Sequence, residues 1–183
     1  MTAEVQEMPV TGVLPSVDLQ TFRQVMGSFA SGITIVTTLD DEGQPRGLTC
    51  SAFCSVSVDP PLLLNSVASR SGTLEAITAR GRFAVNMLGS QGQAVSQLFA
   101  SGARDKFERV RWEPGTASGM PLLRGTVAYA ECELERTVPA GDHVLLLGRV
   151  VGGGTEQDRL PLTYWRGGYA RLLQSAARKP VPA

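Results

Sequence analysis

The first periodic segment of the chain has the spacing of an amphipathic helix. It follows Asp18, a residue type that commonly caps helix N-termini. The apolar positions are Leu19, Phe22, Val25, Met26 and Phe29. Their spacing places them on one helical face, and Gly32 is the expected end of the helix.

Segments rich in β-branched residues, or alternating between apolar and polar residues, predict strands further along the chain. They are residues 33–39, 47–58, 62–67, 82–88, 126–136, 143–151 and 160–165. Turn-forming residues separate them at 40–45, 59–61 and 138–142. The three consecutive glycines at 152–154 predict a loop.

Two further segments, residues 71–80 and 90–100, predict short helices, the first capped by Ser71. Strands outnumber helices, and antiparallel hairpins dominate the second half of the chain. A closed or partly closed barrel hides the edges of such a sheet. We therefore predict an α+β fold that is mainly β, a barrel with peripheral helices. The expected domain spans residues 18–174, between a disordered leader at 1–17 and a flexible tail at 175–183.

Composition and charge argue against several classes of protein. The 183 residues include 17 basic and 17 acidic side chains, so no net charge draws the chain to nucleic acid or to an anionic membrane. No apolar run reaches the length of a membrane helix, and the first residues lack the pattern of a signal peptide. Three cysteines, an odd number, predict reduced thiols and a cytoplasmic location.

Several familiar catalytic motifs are missing from the sequence. It has no Gly-x-Gly-x-x-Gly fingerprint after a strand, no Walker loop and no Gly-x-Ser-x-Gly elbow. Cys50 and Cys54 lack the further ligands that a zinc site needs, so we predict small buried side chains and no metal. His143 is the only histidine and follows Asp142. A Ser-His-Asp triad assembled in space stays open as an alternative.

Small hydroxyl side chains alternate along residues 47–58, at Thr49, Ser51, Ser55 and Ser57. Such a face makes a poor core, but it lets a flat polar ring approach the backbone N–H groups. Donors aimed at the pyrimidine end of a flavin would stabilise its reduced form. A solvent-facing strand has the same composition, and on composition alone it is the better interpretation.

A second polar segment, Ala68-Ser69-Arg70-Ser71, joins a predicted strand to a predicted helix start. Hydroxyls, an arginine and the free N–H groups of the helix converge there, which is typical of a phosphate site. A simple helix cap with an exposed arginine explains the segment equally well.

Taken in order, these segments resemble the flavin reductase family with the split-barrel, flavin-binding fold, the reductase components of two-component flavin-dependent monooxygenases. The resemblance runs from about Phe22 to Leu172. The matching segments are residues 29–37, 47–61, 83–88, 105–107, 141–143 and 164–169. Residues 47–61 resemble the family pattern Thr-x-Ser-Ser-Phe-x-Ser-Val-Ser-x-x-Pro-Pro, with Ala52 in place of the second serine.

The resemblance also implies roles for individual residues. Those implied to hold the isoalloxazine and ribityl groups are Thr49, Cys50, Ser51, Ala52, Ser55, Val56 and Ser57. Those implied to meet phosphate are Ala68, Ser69, Arg70 and Ser71. Those implied near the outer end of the flavin, as residues of this subunit or of a partner, are Lys106 and Phe107. His143 would orient the nicotinamide, with Arg166 and Tyr169 closing that side. An ordinary surface lysine and a core phenylalanine remain alternatives at 106 and 107, and a polar residue at a strand start remains one for His143.

The implied activity is that of an NAD(P)H:flavin oxidoreductase of the EC 1.5.1 type. The resemblance favours FAD over FMN and NADH over NADPH, a homodimer, and a partner monooxygenase that receives the reduced flavin. Nucleic-acid and membrane partners are not expected. Two alternatives stay open: a non-catalytic flavin carrier or sensor on the same barrel, and a split-barrel oxidase acting on pyridoxamine phosphate. The second would need more basic residues than Arg70 and Lys106.

Overall fold

The computed structural model describes residue 12 and residues 14–172 of the chain. Its helices are α1 (Leu19–Gly27), α2 (Gly72–Arg80), α3 (Gln93–Ala100) and a 3-10 helix (Lys106–Arg109). Its strands are β1 (Ser31–Gly32), β2 (Thr34–Leu39), β3 (Pro45–Cys50), β4 (Phe53–Val58), β5 (Pro61–Ala68), β6 (Arg82–Leu88), β7 (Trp112–Pro114), β8 (Pro121–Leu123), β9 (Thr126–Ala140), β10 (His143–Thr155), β11 (Thr163–Trp165) and β12 (Gly168–Ala170). No helix in this part of the chain is long and apolar enough to cross a membrane.

Seven strands form one antiparallel sheet in the order β3-β2-β6-β9-β10-β5-β4. Its two edge strands, β3 and β4, are consecutive in the chain and separated only by Ser51 and Ala52. The sheet must therefore curl until its edges approach each other. The N–H of Ser66 on β5 donates to the carbonyl of Ala52 over 3.0 Å, which continues the β4–β5 pairing by one residue, and Sγ of Cys50 at the end of β3 lies 3.5 Å from the carbonyl of Ser66. No ladder joins β3 to β4 among the described residues, so the predicted barrel is split.

The main hydrophobic core lies inside this curl and under α2. Its buried side chains are Val36, Cys50, Leu63, Val67, Leu74, Ile77, Phe83, Val85, Ala130, Cys132 and Leu146. A second cluster lies on the other side of β2, under α3 and the β11–β12 hairpin. It consists of Ile33, Ile35, Leu88, Phe99, Leu123 and Leu162. Because successive side chains of a strand point to opposite faces, β2 is buried on both.

The prediction of one strand over residues 47–58 is wrong, since β3 and β4 are separate strands. Each pairs with a different neighbour at opposite ends of the sheet, and the chain has to cross between the edges at Ser51 and Ala52. The predicted loop at 152–154 is also wrong, because these glycines belong to β10. A Cβ on Gly154 would lie 2.7 Å from Cε1 of Tyr129, so glycine lets β10 pass close to that ring.

Smaller differences concern the ends of elements. Asp18 is the N-cap of α1 as predicted, and its carboxylate accepts the N–H of Thr21 over 2.8 Å. The helix ends at Gly27 rather than Gly32, because the chain leaves it to pair β1 with β11. Helix α3 begins at Gln93 rather than at 90, and β9 continues to Ala140. The predicted leader and tail lie mostly outside the described residues.

Candidate functional site

The crossing between the two sheet edges brings an exposed stretch of backbone to the split of the barrel. Ser51 and Ala52 are exposed there, whereas Cys50 is buried and turns its thiol into the core. The hydroxyl of Thr49 donates to the carbonyl of Ser96 on α3 over 2.6 Å. The Thr49 hydroxyl, one of those predicted to face a flat ring, is thus hydrogen-bonded to α3. The crossing thus presents backbone groups and the Ser51 side chain to solvent.

Strand β4 supplies the remaining residues predicted for the ring and ribityl chain. Ser55 and Val56 are exposed and Ser57 is half-buried. The register with β5 shifts between Ser55 and Ser57, so Val56 forms a bulge at this edge strand. A bulge on an edge strand commonly redirects side chains beside a functional site.

The structure brings His143 next to the predicted phosphate segment. His143 is the first residue of β10 and lies opposite Ala68, the last residue of β5. The N–H of Ser69 donates to the carbonyl of Asp142 over 3.0 Å. Two segments at least 70 positions apart in the chain, residues 68–71 and 141–143, therefore form one surface.

A short contact to Asp142 orients the imidazole of His143. Nδ1 lies 2.7 Å from Oδ1 of Asp142, and the His143 side chain is 44% exposed. The hydrogen bond to His143, the charge of that ring and the nearby charge of Arg70 hold the pKa of Asp142 below its usual value. Because Nδ1 is occupied, Nε2 is the ring nitrogen that can meet a ligand.

The segment at 68–71 leads directly into the N-terminus of α2. Ser71 is the N-cap residue, but its side chain makes no capping hydrogen bond. The first N–H groups of a helix lack partners within the helix and favour anions. Together with the exposed side chain of Arg70, this helix start has the composition of a phosphate site.

The same helix start forms one wall of a groove of about 820 Å³, which Lys106 and Phe107 also line. Nζ of Lys106 donates to the carbonyl of Phe99 over 2.9 Å, and partial burial lowers the pKa of this lysine. The ring of Phe107 meets that of Phe99 edge-on, with centroids 5.1 Å apart. Both residues thus line the groove while being held by the end of α3.

Arg166 and Tyr169 lie apart from this groove, on the β11–β12 hairpin. Arg166 stacks on Trp165, with its guanidinium carbon 4.5 Å from the ring centre, and lines a separate cavity beside α1. The hydroxyl of Tyr169 lies 3.0 Å from Oγ of Ser96. Sequence reasoning missed Ser96, which links Tyr169 to Thr49. The one available signal was a polar residue on the buried face of α3.

The apolar face of α1 is open to solvent in the single chain. Its members are Leu19, Phe22, Val25, Met26 and the following Phe29, which are 54% to 75% exposed. The helix buries no residue against the described part of the chain. A contiguous exposed apolar face of this kind commonly marks an interaction surface.

The site thus combines a split antiparallel barrel, an exposed crossing between its edges, an uncapped helix start and an imidazole oriented by Asp142. Residues 26–173 match the family model described as the flavin reductase like domain. The chain therefore belongs to the flavin reductase family.

Relatives and solved structures agree with this family. The chain is 46% identical to a flavin reductase (NADH) from Kitasatospora aureofaciens, over 93% of this chain and 91% of that protein. It is 36% identical to the reductase subunit HsaB of a flavin-dependent monooxygenase from Rhodococcus jostii, over 92% and 84% of the two chains. An NADH:FAD oxidoreductase from Streptomyces globisporus, solved in complex with NAD and FAD fragments, superposes with a TM-score of 0.83 at 34% identity, covering 90% of this chain and 100% of that one.

Proposed function

We propose that the protein transfers a hydride from NADH to FAD, or to FMN, and releases the reduced flavin to a flavin-dependent monooxygenase. The observation that carries this proposal is the convergence of three features at one side of the split barrel. They are the exposed backbone at Ser51 and Ala52, the segment 68–71 at the start of α2, and His143 beside that segment. The names of the relatives support the same reaction.

Each feature has a physical role in that reaction. The backbone at 51–52 and the bulged strand β4 hold the ring system, and residues 68–71 with the α2 N-terminus bind phosphate. The bound flavin supplies the hydride acceptor, and hydride transfer needs two stacked rings rather than a protein nucleophile. His143 orients the nicotinamide through a hydrogen bond at Nε2 while Nδ1 contacts Asp142. Arg166 and Tyr169 are assigned to the nicotinamide side. This role requires the β11–β12 hairpin to face the bound nicotinamide.

The groove favours FAD over FMN. It begins at Ser71, the last residue of the proposed phosphate segment, and continues between the β2–β3 hairpin and the end of α3 past Lys106 and Phe107. FMN ends at its single phosphate, whereas FAD carries a further phosphate and an adenosine. A groove of about 820 Å³ next to the phosphate site has room for that extension.

Activity is tested by following NADH absorbance with FAD or FMN, and with NADPH in place of NADH. We expect flavin-dependent consumption that is fastest with NADH and FAD. No consumption with any of the four pairs would contradict the proposal. Retention of flavin through gel filtration together with inertness to NADH would instead indicate a flavin carrier.

His143→Ala tests the nicotinamide role. We expect the KM for NADH to rise about tenfold, equivalent to about 1.4 kcal/mol, with the flavin Kd kept. Thr116→Ala, a change at an exposed turn residue outside the candidate site, serves as the control. Unchanged kinetics for NADH in His143→Ala would show that the imidazole does not orient the nicotinamide.

The exposed face of α1 supports a homodimer in which a second copy of the chain covers it. Light scattering after size exclusion should report a dimer for the unmodified protein. Val25→Lys places a charge in the apolar face and should shift the protein toward monomers. Gln20→Lys adds the same charge elsewhere on α1 and should leave the dimer intact. A monomeric unmodified protein, or equal effects of both changes, would argue against this interface.

A further inference from the structure

Asn65 on β5 is a fully buried amide whose hydrogen-bonding capacity is almost unused. Nδ2 donates to the sulfur of Cys50 over 3.6 Å, and a thiol is a weak acceptor. Oδ1 has no partner, and it is the only buried side-chain oxygen or nitrogen in this situation among residues 14–172. Buried polar atoms are nearly always paired in proteins, so an unpaired one calls for an explanation.

A second buried asparagine shows what an amide required by the fold looks like. Asn86 on β6 is equally buried, and its Nδ2 donates to the carbonyl of Ile35 over 3.1 Å. Its Oδ1 accepts the N–H of Leu123 over 2.7 Å, which ties β8 to the main sheet. Asn65 makes no comparable connection. A leucine at position 65 would be close in size and would leave no oxygen unpaired.

Asn65 lies directly below the crossing between the sheet edges. Its partner Cys50 is the last residue of β3, and Sγ lies 3.5 Å from the carbonyl oxygens of both Ala52 and Ser66. A thiol carries one proton, so Sγ–H can donate to only one of these carbonyls at a time. The N–H from Asn65 restricts the rotation of the thiol. A continuous set of contacts therefore runs from Asn65 through Cys50 to the backbone at residue 52.

We propose that Asn65 is a positioning residue for the flavin, acting through the Cys50 thiol on the backbone at Ser51 and Ala52. The inference rests on the proposed function, which places the flavin over this segment. At the crossing the carbonyl of Cys50 accepts from the Thr34 hydroxyl over 2.8 Å and that of Ala52 from the Ser66 N–H over 3.0 Å, and the Cys50 thiol adds a side-chain contact to this backbone. Losing the amide frees the thiol and loosens the backbone that meets the ring, while the core of the barrel keeps its apolar packing.

The test compares the unmodified full-length protein with Asn65→Leu, Cys50→Val and the double variant. The Kd of FAD is measured from the quenching of flavin fluorescence, and thermal unfolding is measured without flavin. We expect Asn65→Leu to raise the Kd and the flavin KM about tenfold, equivalent to about 1.4 kcal/mol. The NADH KM and kcat should change less than about twofold, which is below about 0.5 kcal/mol on the same scale. Tm should stay equal or rise, because the unpaired oxygen is gone.

The double variant tests the route of the effect. If Asn65 acts through Cys50, the double variant loses no more flavin affinity than either single variant. Val85→Ala, a change in the same core cluster but on β6, is the control: it should lower Tm and leave the flavin Kd unchanged.

Several results would overturn the inference. They are an unchanged Kd in Asn65→Leu, a lower Tm or an unfolded protein for that variant, additive losses in the double variant, or an equal rise in Kd for Val85→Ala. Failure of the unmodified protein to bind or reduce any flavin would remove the proposed function and this inference together. Normal flavin binding by both the unmodified protein and Asn65→Leu would remove the inference alone.

Discussion

Gly47 lies in β3 where this strand passes under the rings of Phe99 and Phe107. A Cβ at this position would lie 2.8 Å from Cε1 of Phe99 and 3.2 Å from Cζ of Phe107. Phe99 is buried in the second core cluster, with Phe107 packed against it, so a displaced Phe99 ring has to push Phe107 toward the groove. Forcing an extra methyl group into such packing costs about 1–3 kcal/mol. We expect Gly47→Ala to lower the stability of the protein by this amount.

The same change should affect FAD more than FMN. A displaced Phe99 also shifts the carbonyl that holds Lys106, and both Lys106 and Phe107 line the groove. If about 1 kcal/mol of this strain opposes the binding of FAD in the groove, the KM for FAD rises roughly fivefold. The KM for FMN should stay nearly constant, because FMN ends at the phosphate site.

The measurement is a pair of steady-state titrations with FAD and FMN at saturating NADH, combined with thermal unfolding. Gly32→Ala is the matched control, because a Cβ at Gly32 would meet no atom within 4 Å. Equal changes in the two KM values would refute the assignment of the groove to the adenosine end of FAD. Unchanged stability would refute the packing argument itself.

Three further predictions concern the rest of the chain. Glu131 is buried and accepts the N–H of Ala117 at 3.1 Å and both the N–H and hydroxyl of Ser118 at 2.6 and 2.7 Å. Glu131→Ala should therefore lower the free energy of unfolding in urea by about 3 kcal/mol or more, while activity per folded molecule is unchanged. A smaller loss of stability would show that water replaces these hydrogen bonds. Burial and the charge of Glu131 raise the pKa of Cys132 from 9.0 to about 12. The thiol of the unfolded chain ionises first, so the free energy of unfolding should fall as pH rises from about 9 toward 12, by up to about 1.4 kcal/mol per pH unit. Cys132→Ala should reduce this pH dependence in denaturation curves. Cys54 is exposed, so the prediction of a buried side chain is wrong there, whereas Cys50 and Cys132 are buried. One thiol should thus react with Ellman's reagent in the native protein, and rapid reaction of all three would contradict the described burial.

Features that depend on neighbours within one turn or one strand could be predicted from the residues alone. The apolar spacing after Asp18 predicted α1 and its cap, because helix periodicity and capping involve residues a few positions apart. The β-branched segment at 33–39 and the segments at 62–67 and 82–88 predicted β2, β5 and β6 nearly to the residue. The order of the motifs along the chain was sufficient to indicate the flavin reductase family.

The way these segments meet depends on pairing between distant strands, which local patterns do not specify. Alternation shows that a strand has two faces, but not which strand lies beside it, because the backbone groups that pair are the same in nearly every residue. The break at Ser51 and Ala52 follows from pairing β3 and β4 at opposite edges of the sheet. Pairing of β5 with β10 places His143 opposite Ala68, and the curl of the sheet places Asn65 beneath the crossing. These contacts join residues far apart in the chain, so no local pattern records them.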